Sequence, residues 1–290
     1  TMDYLIKAMA RSDRVRVYLA RTTDITNEAI KIHDLWPSAA SVLGKTLTVA
    51  LLMGAMLKGD EALTVKIDGN GPIGLVIADG NAKGEVRGYV TNPHVHFSKE
   101  GKLDDVSTLG YNGYIDVIKD LKLKDFYSTT IPLQTGDLAK DFTYYFAYSE
   151  QTPTLTSLGA VIGEDNKCWL CGGIIIQLMP DATEEDIEFL EFKTAVLSSF
   201  SGLLSENEDL ETILKMIFAD DYRILETMDV RFHCDCSKEK FARGIATLGS
   251  SEIRDIIDTD GKAEVVCHYC RKQYHYSKEE LEEIERESKK

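Results

Sequence analysis

The chain has 290 residues, enough for two domains or for one domain with appendages, and its 43% hydrophobic content supplies a sizeable core. Its 48 Asp and Glu outnumber its 33 Lys and Arg, leaving a net charge of −15. That excess argues against general polyphosphate binding, and a nucleic-acid role would need a local basic patch to overcome it.

The start, Met2 to Lys7, has no basic stretch followed by an apolar run, so no secretory signal is expected and the cytoplasm is the expected compartment. Residues 1–180 carry short strand-like runs at 63–67, 73–78, 85–90, 142–148 and 173–178, several of them separated by Gly and Asn-Pro punctuation. One long helix is expected over 37–57, with Pro37 in its first turn, where a missing N–H costs little. Its small and apolar residues suit burial against a sheet, and its apolar stretch, 47–57, is too short to cross a bilayer. This part reads as an α+β domain. Gly69 to Gly74 matches G-x-G-x-x-G, but Leu75-Val-Ile-Ala follows as a strand where a dinucleotide site needs a helix. Gly44-Lys-Thr46 lies inside the expected helix and lacks the leading glycine of a phosphate loop, since residue 39 is Ala. His94 and His96 read as a surface pair on a strand face, with no third ligand nearby.

Residues 181–230 differ in composition. They hold 14 acidic residues against Lys193, Lys215 and Arg223, a net of −11. Two capping boxes are expected, Thr183 with Asp186 and Ser205 with Glu208. Apolar residues recur at helical spacing: Ile187, Leu190, Val196 and Leu197, then Leu210, Ile213, Leu214 and Ile217. The segment is therefore expected to be helical, with one face that something must cover. Like charges on adjacent turns weaken such helices. Composition alone favours a solvated acidic connector over a segment that unfolds when its support is removed.

Residues 231–290 shift that balance. They carry 12 basic and 13 acidic residues, four of the six cysteines, and a final charged helix capped by Ser277 with Glu280. Sixty residues make a small core, so a staple is expected. Cys234-Asp-Cys236 is followed after 30 residues by Cys267-His-Tyr-Cys270. Zinc takes four soft ligands at tetrahedral corners, and two chelating pairs close the site with no position left for substrate. A structural Zn2+ on Cys234, Cys236, Cys267 and Cys270 is therefore expected, not a catalytic one, and no enzyme activity is expected. His233, His268 and His275 are expected to be bystanders. Metal holds thiolates in their nucleophilic form, and each pair is close enough in sequence to oxidise internally. Such oxidation would remove the tie between the 230s and the 260s and unfold this part of the chain. Two other functions compete. Lys238, Lys240, Arg243, Arg271 and Lys272 could make a zinc-ribbon nucleic-acid binder, and Cys168 with Cys171 could serve a thiol oxidoreductase. Acidic neighbours argue against the first. Against the second, a thioredoxin-type pair opens a helix, and here the chain enters a strand; the two are expected as ordinary buried or edge thiols.

Across essentially its whole length the sequence resembles the heat shock protein 33 family of redox-regulated 33 kDa chaperonins. The resemblance rests on Arg231-Phe-His-Cys-Asp-Cys-Ser-Lys-Glu and Glu264-Val-Val-Cys-His-Tyr-Cys at the carboxyl end. In the first domain it rests on Ala20-Arg-Thr-Thr-Asp, Met53-Gly-Ala-Met-Leu-Lys-Gly, Asp68-Gly-Asn-Gly-Pro-Ile-Gly and Ala82-Lys-Gly-Glu-Val-Arg-Gly-Tyr-Val. It implies a chaperone domain at 1–180, an acidic helical linker at 181–230 and a zinc-binding redox-switch domain at 231–290. It further implies a zinc-bound, reduced form of low activity. Oxidants would form Cys234–Cys236 and Cys267–Cys270 disulfides, release zinc, and unfold the linker. The exposed surface would then bind unfolding client proteins without ATP, commonly as a homodimer, with no nucleic acid or membrane involved. It does not identify client-contact residues, and Cys168 and Cys171 lie outside the family pattern.

Overall fold

A computed structural model describes residues 2–207 and 209–289, which form two compact units, Thr1–His233 and Cys234–Lys290. The first unit begins with β1 (Tyr4–Ala10), β2 (Val15–Arg21), α1 (Thr23–His33), α2 (Pro37–Gly54), β3 (Ala62–Asp68), β4 (Leu75–Asn81) and β5 (Glu85–Val90). The short pair β6 (Ser98–Lys99) and β7 (Lys102–Leu103) precedes α3 (Asp105–Leu109), β8 (Tyr114–Asp120), β9 (Tyr127–Pro132) and α4 (Leu138–Ser149). Then come β10 (Thr154–Ile162), β11 (Cys168–Leu178), α5 (Glu184–Leu197), α6 (Phe200–Glu206), α7 (Leu210–Phe218), β12 (Tyr222–Asp229) and β13 (Arg231–Phe232). The fold is mixed, as expected, with two main sheets. One is five-stranded and antiparallel, in the order β10-β11-β2-β1-β12; the other runs β13-β5-β4-β3-β8-β9, parallel only at β13–β5.

Helix α2 packs against strands of both sheets. All its residues except Pro37 and Lys45 are buried, and Pro37 sits at its first turn. By length and composition α2 could span a bilayer, more than the apolar stretch at 47–57 suggested, but it is the core helix of this unit. Its buried hydroxyls are satisfied: Thr46 Oγ1 donates to the Val42 carbonyl at 2.8 Å and Thr48 Oγ1 to that of Gly44 at 2.7 Å. Gly80 permits close approach of β4, because a Cβ there would meet the carbonyl of Ala50 on α2.

The five-stranded sheet is buried on both faces. In β2 and β11, Tyr18, Ala20 and Ile175 face the α2 core, while Val17, Leu19, Ile174 and Ile176 face a second core closed by α5–α7. The strand period of two explains this division. The face that the acidic segment must have covered is thus covered by the sheet. Leu210, Ile213, Leu214 and Ile217 of α7 are all buried. Helix α5 is held more thinly: only Asp186, Leu190 and Leu197 are buried, Ile187 and Val196 are exposed, and Phe192 is 80% exposed.

What anchors α5 is charge. Buried Asp186 receives Arg11 Nε at 2.6 Å and Arg14 Nε at 2.7 Å, and it completes the capping box with Thr183. The Arg14 hydrogen bond, with those of Thr183 and Arg11, holds the Asp186 carboxyl well below the usual carboxylate range despite its burial. The Arg11 guanidinium also lies 4.2 Å from the centre of the Phe189 ring. Both arginines flank the β1–β2 turn, where Arg11, Ser12 and Asp13 all adopt left-handed φ of 51–62°. Such conformations are costly for non-glycine residues and need surrounding contacts to hold them. Here Arg223 grips Asp13 at 2.9 and 3.0 Å, and Arg11 N–H donates to the Asp221 carbonyl.

Four expectations differ from the structure. Residues 142–148, expected as a short strand-like run, lie in α4, whose N-cap Asp137 accepts from Lys140 N–H and whose buried positions 138, 141, 142, 145 and 146 follow helical spacing. The acidic segment is not helical throughout, because 222–229 form β12, paired with β1. Ser205 lies inside α6 and Glu208 falls outside the described residues; Asp209 caps α7 by accepting from Thr212 N–H. His94 and His96 lie in the β5–β6 connection, not on a strand, and His94 stacks on Trp36 and meets Asp34 at 2.9 Å.

Candidate metal centre

The second unit consists of α8 (Lys238–Ala246), α9 (Ser250–Thr259), the hairpin β14 (Ala263–Val266) and β15 (Gln273–Tyr276), and α10 (Lys278–Ser288). Helix α10 has the expected Ser277–Glu280 capping box. The core is small: Ile253, Ile257, Tyr274, Tyr276, Leu281 and Ile284 are its buried side chains. A unit of this size is expected to need a further tie.

Two turns bring the cysteines together. Cys234 and Cys236 precede α8, whose N-cap Ser237 accepts from Lys240 N–H. Cys267 and Cys270 occupy the β14–β15 turn. There Arg271 N–H donates to the Cys267 carbonyl at 2.8 Å, Cys267 N–H donates to the Lys272 carbonyl at 2.9 Å, and Arg271 takes a left-handed φ of 63°. This knuckle is what makes C-x-x-C a chelating spacing. The four sulfurs lie within 4.8 Å of one another, with Cys234–Cys267 at 3.7 Å and Cys236–Cys270 at 3.4 Å. A tetrahedron with metal–sulfur legs of about 2.3 Å has edges of about 3.8 Å, so the donor set fits one metal ion. Among the described residues this is the one cluster of at least three His, Cys, Asp or Glu able to hold a metal, and it includes none of His233, His268 and His275. All six cysteines are thiols, and sulfurs of the two motifs approach each other closely, Cys234 with Cys267 and Cys236 with Cys270.

A model of the family described as Hsp33 protein matches residues 3–277. The chain belongs to the Hsp33 family. It is 49% identical over 283 residues to the 33 kDa chaperonin of Bacillus subtilis strain 168, covering 97% of each chain. It is 46% identical over 284 residues to that of Staphylococcus aureus strain JH9, again covering 97% of each. Its fold superposes on the crystal structure of the Thermotoga maritima 33 kDa chaperonin, a heat shock protein 33 homologue, with a TM-score of 0.89 and 33% identity, covering 99% of this chain and 98% of that one.

Within this Hsp33-family centre, Cys267 is buried and the other three cysteines are half-buried. Burial opposes ionisation of Cys236, but hydrogen bonds from Tyr274 and the neighbouring sulfurs outweigh it and hold that thiol below the ordinary range. Burial pushes Cys270 up to about 12. Tyr274, whose hydroxyl lies 3.1 Å from Cys236 Sγ, was not identified from the sequence. Its ring packs on Phe241, so one side chain serves both the core and the sulfur cluster. The only signal for it is an aromatic residue four positions after Cys270.

Two of the five basic residues weighed for nucleic-acid contact are committed to carboxylates: Lys240 to Asp235 at 2.7 Å and Lys238 to Glu280 at 2.6 Å. Lys272 lies over the Tyr274 ring at 5.6 Å. Cys168 and Cys171 lie within β11 in the first unit, a strand that begins at Cys168, ahead of the run expected at 173–178.

Proposed function

We propose that this chain is an ATP-independent holdase switched on by oxidation, with Zn2+ held by Cys234, Cys236, Cys267 and Cys270 in its resting form. The single observation that carries this is the convergence of four sulfurs from two distant turns in a unit whose hydrophobic cluster, among the described residues, has six buried side chains. When bound, zinc keeps the four sulfurs as thiolates and ties the segment before α8 to the β14–β15 turn.

Oxidation within each motif, Cys234 with Cys236 and Cys267 with Cys270, removes all four ligands. Each disulfide yields two electrons, and one molecule of peroxide or hypochlorous acid accepts them, leaving water or chloride and water. The two resulting loops are tiny, so neither reconnects the two turns. The six-residue core then lacks its staple and the unit unfolds. In this reading residues 1–180 are the chaperone domain, 181–230 the releasable linker and 231–290 the switch. The linker begins in α5, whose thin apolar attachment and exposed Phe192 suit release and client contact. The active form is a homodimer in the cytoplasm that binds unfolding proteins.

The deciding experiment follows aggregation of a heat-denatured client with reduced and with oxidised protein, alongside zinc content and free-thiol count. The expected result is one zinc and little protection when reduced, and zinc loss with strong protection when oxidised. Equal protection by the reduced, metal-loaded form refutes the switch.

A further inference from the structure

The turn between β1 and β2 has a shape that its sequence does not favour. The two strands pair as far as Ala10 opposite Val15, which leaves Arg11-Ser-Asp-Arg14 as the loop. Left-handed φ recurs along it, 51° at Arg11, 55° at Ser12 and 62° at Asp13. Hairpin loops that need positive φ usually supply Gly or Asn, because a Cβ crowds the following carbonyl there. This loop has neither, so its shape depends on what grips it from outside.

The grips come from opposite ends of the segment 181–230. At the far end, Arg223 of β12 clamps Asp13 through Nε and Nη2 at 2.9 and 3.0 Å, and the Asp221 carbonyl accepts from Arg11 N–H at 3.1 Å. At the near end, buried Asp186 of α5 accepts from Arg11 Nε at 2.6 Å and from Arg14 Nε at 2.7 Å. The Arg14 carbonyl accepts from Met179 N–H at 2.9 Å, just ahead of α5, and the Arg11 guanidinium covers the Phe189 ring. Arg11 therefore answers to both ends, through its backbone to the residues beginning β12 and through its side chain to α5. A second contact joins the same regions: Phe189 of α5 stacks on Phe218 of α7 at 5.7 Å.

We propose that the β1–β2 turn is a latch that couples the two ends of 181–230, so that losing the grip of β12 frees α5. Gripped by Asp221 and Arg223, the loop stays left-handed and aims Arg11 and Arg14 at Asp186. Ungripped, Arg11, Ser12 and Asp13 relax to negative φ, and the two guanidiniums leave the carboxylate. A buried carboxylate without its partners is strongly unfavourable, and the buried apolar side chains of α5 are only Leu190 and Leu197, so the helix lifts into water. One two-state element is thus biased from both sides, which is what coupling requires. The consequence for regulation rests on reading 181–230 as the releasable linker. Strand β12 leads through β13 to Cys234, so loosening the end beside the cysteines releases the start of the segment as well.

Amide hydrogen exchange of full-length, reduced, metal-loaded protein tests the latch. Arg223→Gln removes an exposed clamp, and exchange over 184–197 should rise about three- to fivefold, the scale of a surface ion pair. In an Asp186→Asn background the same substitution should add less than about twofold, because the latch has already lost its hold on α5. Ser12→Gly lets the loop stay left-handed unaided; in that background Arg223→Gln should again change 184–197 by less than about twofold. The proposal is overturned if Arg223→Gln alone leaves 184–197 within about twofold of wild type. It is equally overturned if the full effect persists in Asp186→Asn, which would assign the coupling to the phenylalanine stack, or if it persists in Ser12→Gly, which would show that strain in the turn plays no part. None of these measurements uses oxidant or client, so failure here is distinguishable from failure of the proposed switch.

Discussion

Asp186→Asn keeps the shape of the side chain and removes its charge, which isolates the clamp on α5 from its capping geometry. The carboxylate is fully buried, while the Arg11 and Arg14 side chains retain 19% and 29% exposure. Removing one partner of a buried ion pair costs about 3–5 kcal/mol. Water reaches the outer side of both guanidiniums, so screening lowers the expected loss to about 2–3 kcal/mol. At about 1.4 kcal/mol per factor of ten, local opening of α5 becomes roughly 30- to 140-fold more frequent. Amide hydrogen exchange of reduced, metal-loaded protein measures this directly: residues 184–197 should exchange faster by that factor, while β2 and α2 keep their protection. The pH dependence has a definite sign. A carboxyl held below its unfolded value contributes stability that is present above that value and lost as pH falls. Protection of α5 in the wild type should therefore decline below about pH 4, where a free aspartate would protonate, and the asparagine variant should lack this component. If exchange across α5 stays within twofold of wild type, then Leu190 and Leu197 hold the helix without the clamp and the reasoning fails.

Three further outcomes are expected. Cys267→Ser should lose the metal and unfold the second unit alone, with exchange protection lost over 234–290 and kept in α2, because six buried side chains do not sustain so small a core unaided. Tyr274→Phe keeps the ring on Phe241 but removes the hydroxyl 3.1 Å from Cys236; a drop of about tenfold in zinc affinity by chelator competition is expected, and an unchanged affinity would show that the phenol does not support the sulfur. Asp3 is pushed up to about 7 by burial, against hydrogen bonds from Ile25 and Asp24 N–H groups and Arg21 at 3.8 Å. Its contribution is intact below the ordinary aspartate range and is lost as pH rises through about 7, so thermal melting of the reduced protein from pH 4 to 8 should fall less steeply in Asp3→Asn.

The cluster was legible in the sequence because metal chelation imposes spacing: two cysteines one or two residues apart leave few other readings, and the structure brings all four together. Helix α2 was legible from its composition and from Pro37 at its start. Helix α4 was misread because Phe142, Tyr144, Tyr145 and Phe146 favour strands by propensity; the decisive local signal was Asp137 three residues before Lys140, an N-cap. Strand β12 was hidden by the acidic character around it, although Tyr222, Ile224 and Met228 alternate with exposed residues. Its partner is the first strand of the chain, and no local pattern reports a pairing across so long a separation. Tyr274 escaped for a related reason: a hydroxyl beside a sulfur is a property of the folded hairpin, not of spacing.

That pairing of β1 with β12 bears on how the molecule is made. The register runs from Tyr4 opposite Asp229 to Ala10 opposite Tyr222, so 211 residues separate the two strands along the chain. A ribosome adding about 5–20 residues per second takes roughly 10–40 s to cover that distance. During this interval β1 can zip to β2 on one side while its other side presents unpaired N–H and C=O groups, a template for a strand from any neighbouring nascent chain. A protein read here as a guardian of unfolding clients would thus itself need shelter until residues 222–229 emerge.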